Sequence, residues 1–117
     1  DIELNNREIA LMCKKFIKDF DIIIVPIISP FSKSRRLARK IIGPYFSEIY
    51  IKASIDTVRE RDVKGLYNKV AKGEIENFIG IDPSVPYQVP ENPDLILNTE
   101  EQIKSVSVMR LLKFCQK

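Results

Sequence analysis

The run DIIIVPIISP, Asp21 to Pro30, constrains this chain more than any other ten residues. Ile22, Ile23, Ile24 and Val25 are consecutive and do not alternate with polar residues. A strand that is apolar on both faces belongs inside a sheet covered on both sides, and parallel sheets are built that way. Pro26 offers no backbone donor, so an edge or a bulge is expected there. Parallel strands need crossover helices, and helical spacing flanks the run. Before it, Ile9, Met12, Cys13, Phe16, Ile17 and Phe20 recur at three- and four-residue steps and predict one apolar helix face. After it, SKSRRLARKII predicts a basic helix, capped by Ser32 or Ser34 and stopped at Gly43-Pro44.

The alternation continues. FSEIYIKAS predicts a second strand through Phe46, Ile49 and Ile51, and Ser54 to Arg61 a short helix with Ser54 as N-cap. DLILNT predicts a third strand. Thr99 is expected to cap a last helix, with Glu100 and Glu101 favouring its N-terminal end and Ile103, Val106, Met109 and Phe114 giving it an apolar side. Strands alternating with helices predict an α/β fold with a mostly parallel sheet of about three strands. The 117 residues suffice for one domain. One stretch does not fit the alternation: KGLYNKVAKGEIENFIGID, Lys64 to Asp82, is too irregular for a core helix and too sparsely apolar for a strand. At that length it exceeds an ordinary connection of about 4–6 residues.

Composition excludes several function classes. The sequence has no histidine, which removes Ser-His and Cys-His nucleophile schemes and most zinc sites. Cys13 and Cys115 have no metal-type spacing, and reduced thiols are the expectation. Asp56, Asp62 and Asp82 show no spacing that demands magnesium, so no metal site is assigned. No apolar run approaches the roughly 20 residues of a membrane span. Asp1 to Asn6 is polar and acidic, unlike a signal peptide. A cytoplasmic protein without membrane or nucleic-acid partners is expected. The net charge of +3 suits an anionic small molecule.

Several stretches, taken in order, carry a resemblance. They are IISPF (Ile27 to Phe31), the Arg-x-x-x-Arg of Arg35 and Arg39, RDVKGLY (Arg61 to Tyr67), GEIENFIGID (Gly73 to Asp82), PYQVPENPDL and LNT. The set resembles the adenylylsulfate kinases over Asn5 to about Thr99. The resemblance implies a P-loop nucleotide-kinase fold, usually a homodimer, that moves the γ-phosphate of ATP to the 3′-hydroxyl of adenylyl sulfate with magnesium. It implies that residues 1–117 are the C-terminal two-thirds of such a domain, with a lid at about 62–82. The family's Gly-x-x-x-x-Gly-Lys-Ser/Thr run, which cradles ATP phosphates, does not occur in this sequence. In the family's sheet the strand before that run lies between those matching Ile22–Ile28 and Ser47–Ile51. Without it, either the two strands close on each other or their shared neighbour is elsewhere.

By the same resemblance, Asn5, Ile28, Ser29, Lys64, Asn77 and Phe78 contact adenylyl sulfate. Ser29 is also the serine that family descriptions name as a phosphorylated intermediate; the plain alternative is a turn serine before Pro30. Lys64 offers a mobile point charge to a sulfate or phosphate oxygen, and Phe78 an aromatic face for adenine. The alternatives are a solvated lysine and a phenyl ring tucked under its own loop. Arg35 and Arg39 share a helix face and are expected to steer anions near the lid, or else to form a solvated basic face. Ile2 stands where the family has Arg, Asn77 where it often has Gly, and Ile79 where it has Thr. The expected function is adenylylsulfate kinase, with the chain inactive by itself. A non-catalytic binding or dimerisation remnant, or a kinase for another small acceptor, are the other readings.

Overall fold

Asp1 opens the chain as a helix cap: its Oδ1 accepts the Glu3 amide at 2.8 Å and the Leu4 amide at 3.4 Å. Helix α1, Ile2–Phe16, follows and tightens into a 3-10 turn at Ile17–Asp19. The computed structural model describes residues 1–54, 57, 60–61 and 86–116. In it α1 packs against α2, Ser32–Ile42. The buried stripe of α1 is Asn6, Ala10 and Cys13, spaced four and three residues apart. It is therefore rotated from the face the apolar pattern predicts. Met12 and Phe20 are both 60% exposed. With Ile9 and Phe16 they form one wall of an apolar trench of about 460 Å³, and Ile22 to Pro26 form the other.

The expected first strand is corrected. Among the described residues Ile22–Val25 joins no ladder, and Ile24 is 70% exposed. Pro26 is the local reason. The Val25 carbonyl accepts the Ile27 amide at 3.1 Å across it, closing a γ-turn that takes both groups out of sheet geometry. Among the described residues, Ile22–Ile28 does not close on the strand at Ile49–Lys52.

The sheet among the described residues has two strands, β1 (Ile49–Lys52) and β2 (Leu95–Asn98). They are parallel, with Ile49 opposite Leu95 and Lys52 opposite Asn98. The pairing extends past both ends: the Asp94 amide donates to the Glu48 carbonyl at 2.8 Å, and the Thr99 amide to that of Lys52 at 3.0 Å. Leu97 is 3% exposed and is the best-buried position of the sheet. Helix α3, Lys104–Cys115, packs on β2, and Arg110 donates to the Ile96 carbonyl at 3.1 Å. The buried residue of α3 is Ser107. The expected apolar side is solvated at Ile103, Val106 and Met109.

Two expected caps are also corrected. Residue Phe31 occupies the N-cap position of α2, and Ser32 and Ser34 lie inside the helix. The N-cap position of α3 is Ile103, and Thr99 is spent elsewhere. The stop at Gly43 holds. Its φ of 77° and ψ of −138° fall in a region open essentially to glycine alone, and its amide donates to Arg39. The Ser54 cap holds as well, its Oγ accepting the Thr57 amide at 3.1 Å.

Candidate functional site

Two clusters of side chains gather where chain segments end. The first surrounds Ser29. Ile28 is 58% exposed, while Pro30 is fully buried and pins the turn. Arg35, in the first turn of α2, reaches back over it. Its Nη1 donates to the Ser29 carbonyl at 2.6 Å, its Nη2 to Ser32 Oγ at 3.1 Å and to the Gln88 carbonyl, and its Nε meets Glu48 at 3.0 Å. The guanidinium thus commits four N–H bonds to the protein. The side chains of Arg35 and Glu48 are 10% and 16% exposed. Gln88 completes the cluster: its amide donates to the Pro30 carbonyl at 2.8 Å, and its Oε1 accepts the Ser32 amide at 2.7 Å.

Arg35 also lies 5.7 Å from the Tyr87 ring centre, and Tyr87 stacks on Tyr50 with centroids 6.4 Å apart. Burial pushes the Tyr87 hydroxyl up, against the pull of Arg35. Arg39, one turn on, pairs with Asp94 Oδ2 at 2.7 Å and lies over Phe46 at 4.9 Å. The same Asp94 oxygen accepts the Glu48 amide at 2.6 Å. Partial desolvation raises the Asp94 pKa, but the Glu48 amide and then Arg39 outweigh it, and the net direction is down. Both arginines therefore face the segments that lead into β1 and β2.

Asn5 lies exposed in the first turn of α1. Lys33 meets Glu3 at 2.7 Å, which brings that turn against the start of α2, at the end of the molecule where Ser29 sits. The expected contacts Lys64, Asn77 and Phe78, and the expected lid at 62–82, lie outside the described residues.

The second cluster stands at the carboxyl ends of β1 and β2. Ligands of open parallel sheets collect at such ends. A cavity of about 720 Å³ opens there between Ile51, Leu97, Thr99 and α3, within the size range of small-molecule sites. Thr99 Oγ1 donates to the Lys52 carbonyl at 2.9 Å, and Arg61 donates to Thr99 Oγ1 at 3.0 Å and to its carbonyl at 2.6 Å. Glu100 Oε1 accepts the Ser54 amide at 2.6 Å and the Thr57 hydroxyl at 2.8 Å. Ser54, through hydroxyl and amide, and then Thr57 hold the Glu100 carboxyl down at about 2.

Ser107 lines this cavity, 8% exposed, and its hydroxyl has no hydrogen-bond partner among the described residues. Sequence reasoning missed it. The sequence carries no signal for it: Ser107 is one of two serines in a helix that also holds Lys104, Arg110 and Lys113. Among the described residues no group of three or more acidic, cysteine or histidine side chains gathers as a metal site. No described helix is long and apolar enough to cross a membrane.

The family profile for adenylylsulphate kinase matches residues 1–98. The adenylyl-sulfate kinase of Halothermothrix orenii is 39% identical over 116 residues, which is 99% of this chain and 61% of that protein. That of Acaryochloris marina is 41% identical over 113 residues, 96% of this chain and 54% of that protein. The solved structure of the Mycobacterium tuberculosis APS kinase CysC in complex with AMPPNP and APS superposes with a TM-score of 0.81 at 36% identity. It covers 95% of this chain, which covers 66% of it. The chain spans about half to two thirds of the length of these relatives. By its residues 1–98 the chain belongs to the adenylylsulphate kinase family.

Proposed function

We propose that this chain supplies the acceptor side of an adenylylsulfate kinase, which transfers the γ-phosphate of ATP to the 3′-hydroxyl of adenylyl sulfate. The observation that carries the reading is the superposition on a kinase whose structure holds both AMPPNP and APS. Phosphoryl transfer of this kind rests on positioning and on neutralising charge. Here Asn5, Ile28 and Ser29 orient adenylyl sulfate at the turn before α2, and Lys64, Asn77 and Phe78 complete its contacts. Ser29 acts as an orienting group: among the described residues its surroundings are Arg35, Gln88 and the Glu48 carboxylate, which is committed to the Arg35 guanidinium. Arg35 serves the fold of the turn, while Arg39, with a half-exposed side chain, adds positive potential.

The ATP phosphates belong to the family's Gly-x-x-x-x-Gly-Lys-Ser/Thr segment, so no residue of this chain is assigned to ATP. Magnesium would neutralise the ATP phosphates, and the described residues provide no ligand set for it. The protein acts in the cytoplasm as a homodimer. The chain has no Gly-x-x-x-x-Gly-Lys-Ser/Thr run, so it binds adenylyl sulfate without transferring phosphate by itself.

Titration calorimetry with adenylyl sulfate tests the reading. Saturable binding, with no radiolabel passing from ATP to adenylyl sulfate, is expected. The acceptor assignment is lost if no heat of binding is found. Robust label transfer by the 117 residues alone would overturn the inactivity.

A further inference from the structure

We infer that Arg35 and Gln88 are positioning residues for the Ile28–Ser29 turn; this rests on the acceptor-side reading above. Ladder hydrogen bonds ordinarily hold the residue at the end of a strand, and here Ile22–Val25 has none among the described residues. Among the described residues, the side-chain and long-range contacts on the turn come from Arg35 and Gln88. Arg35 takes the Ser29 carbonyl, and the Gln88 amide takes the next carbonyl, that of Pro30. Arg35 and Gln88 are also tied to each other, through the Gln88 carbonyl, and Glu48 holds the Arg35 fork in place at 3.0 Å. The result is a closed ring of hydrogen bonds around Ser29 and Pro30, assembled from residues more than fifty positions apart.

The Gln88 side chain has a second duty. Its Oε1 accepts the Ser32 amide, one of the free donors at the start of α2. A residue 56 positions away thus does the capping that Ser32 and Ser34 do not. The cap fixes the start of the helix, and the start of the helix fixes where Ser29 points. Arginine suits the other post because its planar fork serves several acceptors at once, which a lysine ammonium at the same place cannot match. A shift of about 1 Å in a substrate-positioning group can cost about 100-fold in rate. Loosening this ring therefore weakens acceptor handling without removing any group that touches the acceptor.

The experiment compares the unmodified chain with Gln88→Met, Gln88→Glu and Arg35→Lys. Calorimetry reads adenylyl sulfate affinity, and amide hydrogen exchange reads Ser32. Gln88→Met keeps length and loses the acceptor oxygen. It is expected to weaken binding about tenfold and to speed exchange at Ser32. Gln88→Glu keeps the oxygen, adds a charge favourable at a helix N-terminus, and restores both. Arg35→Lys keeps the charge beside Glu48 and is expected to lose affinity as Gln88→Met does. A merely structural role would lower stability in Gln88→Met and leave affinity within about twofold of the parent. That outcome overturns the proposal while the acceptor reading stands, as does a Gln88→Glu variant no better than Gln88→Met. Failure of the unmodified chain to bind overturns both.

Discussion

Glu100 accepts hydrogen bonds at the foot of the segment that follows β1, and its low pKa makes that tie a function of pH. The folded value of about 2 lies below the ordinary 4.5. The stabilisation is therefore complete above the ordinary value and is lost as pH falls through the folded one. A carbon-13 titration of the Glu100 carboxyl should show a midpoint near 2. Between about pH 5 and pH 2, Glu100→Gln should flatten part of the acid-induced loss of stability seen in the parent. A midpoint near 4.5 would mean that the Ser54 and Thr57 contacts are not kept in solution.

At this scale the sequence is a partial guide. Ser54 was legible as a cap because capping needs only a local offset of three residues. Arg35 was legible as a helix-face cation but not as the holder of Ser29 and Gln88, since those partners are fixed by tertiary closure. Asn6, buried with its Oδ1 unpartnered among the described residues, was hidden behind its neighbour Asn5, to which the family pattern points.

The end of α2 is set by backbone geometry, and Gly43 is where that can be measured. A Cβ added there meets nothing within 4 Å, so the cost of Gly43→Ala is conformational alone. At φ 77° it should lower unfolding free energy by about 1–3 kcal/mol in urea titration. A D-alanine at the same place, whose preferred φ is positive, should recover most of the loss. Equal stability of parent and Gly43→Ala would mean that the chain leaves the helix differently.

This stop was readable from Gly-Pro, as β1 and β2 were from their apolar runs. The Ile22–Val25 element was not, because strand propensity reports a fit to a pleated, half-buried surface and not a preference of the isolated backbone. A strand needs a neighbour, and Pro26 closes a turn where none pairs. The caps of α2 and α3 failed for a related reason. Thr99 had a better acceptor in the Lys52 carbonyl, and Ser32 yielded its amide to Gln88.

Over the whole molecule, the α/β class was legible from alternation, and the family from six motifs in order. What the sequence could not convey is how few described contacts are local to the sheet. β1 and β2 pair residues 46 positions apart, the Arg39–Asp94 ion pair spans 55, and Gln88 reaches Ser32 across 56. By contrast, α1 and α2 are separated only by residues 17–31. Closing a chain segment of that larger size costs roughly 3.5 kcal/mol beyond the constant term, since the cost grows as (3/2)RT ln n. Loops this long are entered late unless something already formed rewards them. The helix pair is therefore expected to collapse first and the β1–β2 pairing to follow. Stopped-flow chevrons would register this order. Leu97→Ala, at the best-buried sheet position, should cost about 2–5 kcal/mol, chiefly as faster unfolding. Cys13→Ala, on the α1 stripe, should chiefly slow refolding. The reverse pattern would place the sheet in the nucleus. In the expected order, a nascent polypeptide holds the paired helices α1 and α2 for as long as synthesis takes to deliver β2.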